Sequence, residues 1–394
     1  AFKVERFPIS KSLRPLLPDE KTLRMFDAFQ PEGLVSAEGE FVKQPDGRWK
    51  PQNLVLDVHS GSAMFHKFRY PAKNLSGKFT QLPEGVRTAT ESTPATTNTD
   101  TLFDVVISGT VGDRPLNTKG WMKNPGTAGE NYFTVKVTEF PLDGNFRNAL
   151  DEKQRAVFAS LNLSGLANGT LTFYRPPGID QVTQPTFNLN VYDASMSFHK
   201  FPYEINKLTG HITFEGRTKH WKFQELNGRH GTAQLTAFGD FQGDPVPGTL
   251  NLTIRAKNAP LDADLYNALS QSQRTLWQTV NPEGFCDLTT LINWTASPGQ
   301  PAIVSFPESE PVRIYNTKIR PKPFPFDMLV KEATLSFDPN DPRNAGKQHC
   351  EILSFQAFHD QAEIRAKGWA ELARDGEWQL HLNDVNATNL EPNI

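Results

Sequence analysis

At 394 residues the chain is long enough for two or three ordinary domains, yet only 37% of it is apolar, against the roughly 45–50% typical of compact globular proteins. It holds 28 Phe, 30 Pro and 27 Gly, a balance that argues against a thick-cored enzyme and for many short strands joined by turns. Acidic and basic residues nearly cancel, 44 against 41, so the charge encodes no strong attraction to nucleic acid.

No apolar run approaches the ~18 residues of a membrane-spanning helix. The opening Ala1-Phe-Lys-Val-Glu5 reads as strand and not as a signal peptide, and a start in mid-strand reads as a fragment of a longer protein. Cys286 and Cys350 are too few for a disulfide scaffold and lack metal-ligand spacing; one disulfide or two buried thiols both fit.

In chain order, Pro8-Ile-Ser-Lys-Ser-Leu13, Leu16-Leu17 and Glu32-Gly33-Leu34 predict a short helical stretch leading into a strand. Pro18-Asp19 suits a new helix start inside that stretch. Leu54, Leu56 and Val58 then alternate, and Ala63 and Phe65 resume in the opposite phase. Phe65-His-Lys-Phe-Arg-Tyr70 leads to Leu75-Ser-Gly77. Thr88 to Thr101 is Thr-rich and reads as a mobile loop. Phe133, Val135 and Val137 alternate after it.

The same order then returns. Pro141-Leu-Asp-Gly-Asn-Phe146 is followed by Ala149-Leu150 and Ser164-Gly165-Leu166. Asp143 is a suitable N-cap, and Asp151 with Gln154 fits a capping box, so the helix is split and runs to about Leu161. Phe187, Leu189 and Val191 face one way, Asn188 and Asn190 the other. Met196 and Phe198 reverse the phase, which predicts a hairpin or bulge near Asp193-Ala194. Phe198-His-Lys-Phe-Pro-Tyr203 leads to Leu208-Thr-Gly210, and Ala233, Leu235 and Ala237 alternate, as do Leu250, Leu252 and Ile254.

A third start is Pro260-Leu-Asp-Ala-Asp-Leu265, followed by Ala268-Leu269, a capping box at Ser270 and Gln273, and Glu283-Gly284-Phe285. Its second block is degraded to Phe324-Pro-Phe326, with Ala333 where glycine is expected. His359-Asp-Gln-Ala362, Ile364, Ala366 and Gly368 repeat His230-Gly-Thr-Ala233, Leu235, Ala237 and Gly239. Ala387-Thr-Asn-Leu390 matches the run-in to each copy, such as Val137-Thr-Glu-Phe140 and Ala256-Lys-Asn-Ala259. The chain is therefore expected to comprise repeats over 1–134, 135–253 and 254–384, with a fourth starting at 385–394. Each predicts about six antiparallel strands and one short split helix, a mainly β fold forming an elongated curled sheet or open β-groove.

Such a sheet has one apolar face and too little helix to cover it. A second sheet would give a sandwich; a curled sheet would leave an apolar trough for a ligand to fill. An acyl chain gains about 0.8 kcal/mol per buried CH₂, so roughly sixteen carbons gain about 12 kcal/mol. Six strands about 4.8 Å apart give roughly 29 Å per repeat and about 85 Å for three. That exceeds the ~30 Å hydrocarbon core of a bilayer. The candidate lipid-facing residues are the alternating positions already named, from Leu54, Leu56, Val58 and Phe65 to Leu250, Leu252, Ile254 and Ile364.

The run-in Val137-Thr-Glu-Phe140, the start Pro260-Leu-Asp-Ala-Asp-Leu265, the entry Ser164-Gly165-Leu166, and Phe201-Pro-Tyr203 leading to Leu208-Thr-Gly210 together resemble AsmA-like proteins. These belong with TamB and the chorein-type bridge proteins in the repeating β-groove superfamily, and the resemblance covers essentially the whole chain. It implies a rod with a hydrophobic groove, anchored in the inner membrane by an N-terminal helix. It also implies transport of phospholipid or another acyl-chain lipid across the periplasm between inner and outer membrane, without a cofactor. A structural or adhesive β-rich repeat protein of the envelope is the alternative.

Chemical motifs are sparse. Asp57-Val-His59 sets two metal-ligand types on one strand face, but no third ligand can be named, and no metal is expected. His66 and His199 are repeat equivalents suited to turns; His230 and His359 align with Asp100 in the first copy. His349-Cys350-Glu351 reads as a strand start and Asp338-Pro-Asn-Asp341 as a turn. With no G-x-S-x-G, P-loop or H-E-x-x-H, no catalytic residue is assigned and the chain is not expected to be an enzyme.

Overall fold

The computed structural model describes residues 1–17, 20–43, 47, 49–66, 68–83, 100–126, 128–150, 152–297, 299–300, 302–322, 326–337, 347–373 and 377–389. It is mainly β, and its strands belong to one antiparallel sheet that does not close into a barrel. The chain forms two compact units, one of residues 1–159, 163–192 and 212–219, the other of 160–162, 193–211 and 220–394.

The first unit opens with β1 (Phe2–Ile9), a 3₁₀ turn (Lys11–Leu16) and α1 (Glu20–Phe29). Five strands follow: β2 (Glu32–Lys43), β3 (Trp49–Phe65), β4 (Phe68–Leu82), β5 (Leu102–Val111) and β6 (Arg114–Lys123). Next come β7 (Glu130–Pro141), α2 (Gly144–Ala149), α3 (Glu152–Leu161), β8 (Ser164–Arg175) and β9 (Gln184–Phe198), whose last residues belong to the second unit. From β1 to β8 each strand pairs antiparallel with the next.

In the second unit β10 (Phe201–Glu215), whose last four residues belong to the first unit, β11 (His220–His230), β12 (Ala233–Gln242) and β13 (Thr249–Pro260) precede α4 (Ala263–Ala268) and α5 (Gln271–Val280). Then follow β14 (Glu283–Thr295), β15 (Ile303–Ser305), β16 (Val312–Ile319), β17 (Met328–Ser336), β18 (Lys347–His359), β19 (Ala362–Ala373) and β20 (Trp378–Thr388). β15 and β16 both pair with β14, so they occupy one strand position interrupted at residues 306–311. A strand, a helical pair and five strand positions thus recur from β1, β7 and β13. The sequence-based boundaries at 134/135, 253/254 and 384/385 fall inside β7, β13 and β20.

The helix starts follow from their caps. Asp143 Oδ1 accepts from the Phe146 N–H at 2.9 Å, and Asp262 Oδ1 accepts from Leu265 at the same distance. In the third repeat Gln273 Oε1 accepts from the Ser270 N–H at 3.0 Å, which starts α5 immediately after α4 ends. An arginine from each second helix secures the break. Arg155 donates to the Asn148 and Leu150 carbonyls at 3.1 and 3.0 Å, and Arg274 donates to those of Tyr266 and Asn267. These carbonyls lie at the end of the first helix, where intrahelical partners run out, although Tyr266 also accepts from the Leu269 N–H at 3.2 Å. Pro18, Asp19, Asp151 and the side chain of Gln154, expected at helix breaks, lie outside the described residues.

The run-in strands share a feature that period two alone does not predict. Arg6, Glu139 and Asn258 adopt φ of +50°, +53° and +52°, and the pairing register shifts around each. The N–H groups freed by these bulges are taken by side chains of the following strand: Ser36 Oγ at 3.0 Å, Asn168 Oδ1 at 2.7 Å and Asp287 Oδ1 at 2.7 Å. A bulge would otherwise leave that donor unpaired.

The reversal near Asp193-Ala194 is a bend within a continuous β9, with Asp193 at φ +46°, and the hairpin follows at His199-Lys200. In the first copy the pairing register shifts between Val58 and Ala63 without breaking β3. The Leu-x-Gly motif marks close strand approach. A Cβ on Gly77 would lie 2.0 Å from the Val106 carbonyl oxygen, and one on Gly210 would lie 2.8 Å from Leu226 Cα. Most of the Thr-rich stretch, residues 88–99, lies outside the described residues.

Replacing Asp143 or Asn168 by alanine should each lower stability by about 1 kcal/mol through a lost cap or an unpaired N–H. Urea unfolding of the full chain measures both.

Candidate functional site

The strand register sorts side chains into rows. In the first unit Leu56 faces Ala37 on one side and Phe79 on the other, and Phe79 faces Val105. After Gly120 the row continues with Phe133 and Phe173. A second row on the same face links Val58 to Val35, then Gly77, Ile107, Thr118, Val135 and Leu171. The intervening row points to the opposite face: Ser36, Asp57 and Lys78, then Val106, Lys119, Thr134 and Thr172. Side chains alternate across a pleated strand, so aligned registers turn sequence periodicity into one apolar and one polar face.

The opposite face also carries a local aromatic cluster. Trp121 is buried there and stacks with Tyr132, their centroids 6.2 Å apart.

On the apolar face Phe187 continues the aromatic row, 6.4 Å from Phe173 and 5.3 Å from Phe214, and Leu189 lies against Gly169. Leu54, Leu56, Val58, Phe133, Val135, Phe187 and Leu189 are half-buried, while Val137 and Val191 are buried. The second unit repeats the arrangement: Leu252 faces Gly239 and Ile292, Ile254 faces Ala237 and Thr290, and Leu250 faces Phe241 and Trp294. Leu235, Ala237, Leu250, Leu252, Ile254 and Ile364 are half-buried.

Helices cover part of this face. Phe146 of α2 meets Phe68 of β4 at 6.0 Å, Phe140 of β7 at 5.5 Å and Phe158 of α3 at 5.3 Å, over buried Tyr70 and Ala167. In the second unit Ala233 is 0% exposed and packs with Ala256, Ala259 and Cys286 beneath Leu261. Ala233 therefore belongs to the packed core of its repeat. Phe65 stacks on Phe29 of α1 at 5.2 Å, which makes it a helix-docking residue. Phe198 lies at the β9–β10 turn, edge-on to His199 at 4.9 Å.

The titratable candidates make structural contacts. His59 Nε2 lies 2.6 Å from Ser36 Oγ, and Asp57 pairs with Lys78 at 3.3 Å. His66 and His199 occupy equivalent turns, where their N–H groups donate to the Ala28 and Ser160 carbonyls at 2.8 and 2.9 Å. His230 and His359 end β11 and β18, and each imidazole Nδ1 lies 2.7 Å from a backbone carbonyl, of Glu204 and Asp327 respectively. Their structural counterpart is Val111 at the end of β5, not Asp100, which precedes β5 and pairs with Lys123 at 3.0 Å.

His349 is buried inside β18 between Glu371 and Glu351, at 3.2 and 3.1 Å. Lys347, which bonds to Glu371, holds that carboxyl below its ordinary range. Asp338-Pro-Asn-Asp341 lies outside the described residues, as do Phe324 and Pro325. Sequence reasoning missed one grouping, His230 with Asp262 and Asp264, because its members are some thirty residues apart on separate elements. The available signal was the Asp262-x-Asp264 pair at a helix start.

Both cysteines are free thiols, and burial pushes each up to about 12. Because the thiolate is the nucleophile, the folded chain should resist iodoacetamide at pH 8. After denaturation both should alkylate, their pKa values returning to about 8.5. Intact mass before and after guanidinium treatment measures this.

No described helix is long and apolar enough to cross a membrane. Comparison of the chain with family models, curated proteins and solved structures gave no match.

Proposed function

We propose that the apolar face holds lipid acyl chains and that the chain is a segment of a bridge-like lipid transport protein. The observation that carries this reading is the pair of apolar register rows in the first unit, continuous across β2 to β8 and largely half-buried. Side chains in a finished two-layer core are buried against a second layer. Here Leu54, Leu56, Phe79 and Phe133 keep part of their surface for another apolar body. An acyl chain supplies it without directional bonds, at about 0.8 kcal/mol per CH₂.

The opposite face suits contact with water, with Asp57 and Lys78 paired on it. Such a chain would work in the periplasm of a two-membrane cell envelope and move phospholipid or a similar lipid between the inner and outer membranes. The residues that would meet lipid are half-buried positions on the apolar face of each unit, Leu189 in the first and Leu235 in the second.

Lipid extraction and native mass spectrometry of the purified chain test the reading. Co-purified phospholipid is expected, and L189E and L235E should lose most of it while keeping the wild-type circular dichroism spectrum. A wild-type chain without lipid that also fails to take up phospholipid from vesicles would overturn the proposal. That result would favour a structural β-repeat protein instead.

A further inference from the structure

Where the turn between β11 and β12 meets the start of α4, three metal-capable side chains converge. His230 Nε2 lies 3.4 Å from Asp264 Oδ2 and 4.0 Å from Asp262 Oδ2, and one ligand atom from each of the three residues fits within a mutual 4.8 Å. We propose that His230, Asp262 and Asp264 bind a divalent cation of the zinc type, clasping this turn to the helical pair of the third repeat.

The tautomer supports it. His230 Nδ1 lies 2.7 Å from the Glu204 carbonyl oxygen, which can only accept, so Nδ1 carries the hydrogen. In the neutral ring Nε2 is then a lone pair facing two carboxylates. Three acceptors turned toward one another need a proton or a cation between them. A backbone carbonyl on the far nitrogen is also how metal-bound imidazoles are commonly oriented.

The carboxylates are suited to the same task. Asp262 uses Oδ1 to cap α4, which fixes the group and leaves Oδ2 toward His230. Asp264 is well exposed and gives an ion access from solvent. Tetrahedral zinc with N and O ligands at about 2.0–2.1 Å has ligand–ligand edges of about 3.3 Å. The 3.4 Å pair already matches, whereas the 4.0 Å separation to Asp262 must shorten by about 0.7 Å when an ion binds.

Tyr203 provides the independent observation. Its ring stacks on His230 at 3.8 Å, it is 6% exposed, and its hydroxyl has no hydrogen-bond partner among the described residues. A water completing the cation's coordination, or a bound carboxylate oxygen, would give this buried donor its acceptor.

In the first unit Tyr70 and Asp143 are present, but Val111 stands in place of the histidine and Asn145 in place of Asp264. His359 keeps the Nδ1 contact to a backbone carbonyl, and among the described residues its Nε2 has Asp360 at 3.9 Å and its ring has Phe326 beside it. H359A therefore serves as a control that removes the imidazole and its carbonyl contact away from the proposed site.

The full chain, stripped with chelator and titrated with Zn²⁺ against a chromophoric competitor, tests the site. About one ion should bind per chain, and Co²⁺ in its place should give the visible absorption of a tetrahedral N/O site. H230A and D264N should each weaken binding by at least ~10-fold, Y203F by less, and H359A should match wild type. Asp264 is exposed, so D264N is expected to fold, and circular dichroism checks each variant. No stoichiometric Zn²⁺ binding by wild type, or binding unchanged in both H230A and D264N, would overturn the proposal.

Discussion

Everything in this fold depends on the antiparallel ladder keeping its register from strand to strand. Because the pleat alternates with period two, one aligned ladder sets the Leu56 and Val58 rows of the first unit on one face and the row of Asp57, Lys78 and Lys119 on the other. The row through Leu56, Phe79, Val105 and Phe133 exists only because no strand between β3 and β7 slips by one residue at that level. The bulges at Arg6, Glu139 and Asn258 do not spoil this alignment. Each absorbs its extra residue near the end of a run-in strand, and the freed N–H is bonded by Ser36, Asn168 or Asp287.

The same geometry limits how much of the face helices can cover. Each helical pair is short, and the α2–α3 and α4–α5 pairs are each tied by an arginine to their own broken turn. It buries a few residues at one end of the strands, such as Tyr70 and Ala167 in the first unit and Ala233 and Cys286 in the second. Farther along, Leu56, Phe79 and Phe133 stay half-buried, although Val105 in the same row is buried. Stability is thus concentrated near the helices, while the longer part of each strand relies on its hydrogen bonds and in-sheet neighbours.

Much of this was legible in the amino-acid pattern. The alternation of Phe187, Leu189 and Val191 against Asn188 and Asn190 gives strand and face together. Asp143 and Asp262 announce their helices because a carboxylate three residues before an apolar helical position has a known use. The bulges were not legible, because Arg6, Glu139 and Asn258 share no chemistry. What they share is a partner on the next strand, which only the pairing reveals.

Matching His230 to Asp100 failed for a related reason. Aligning motifs across a long, unequal loop shifts the comparison, whereas the strand ends place Val111 there. The His230, Asp262 and Asp264 cluster was hidden because a tertiary contact, not a spacing, brings its members together.

The unequal connections carry a further meaning. β4 and β5 are separated by residues 83–101, whereas the equivalent β10 and β11 are joined by residues 216–219 alone. The rows on either side of the longer connection nevertheless stay aligned, with Phe79 still opposite Val105. Chain added at a hairpin leaves the faces untouched, whereas a single residue added within a strand would invert them unless a bulge took it up. The fold therefore tolerates added length at its turns far better than within its strands, where one extra residue turns a side chain of the apolar rows toward the opposite face.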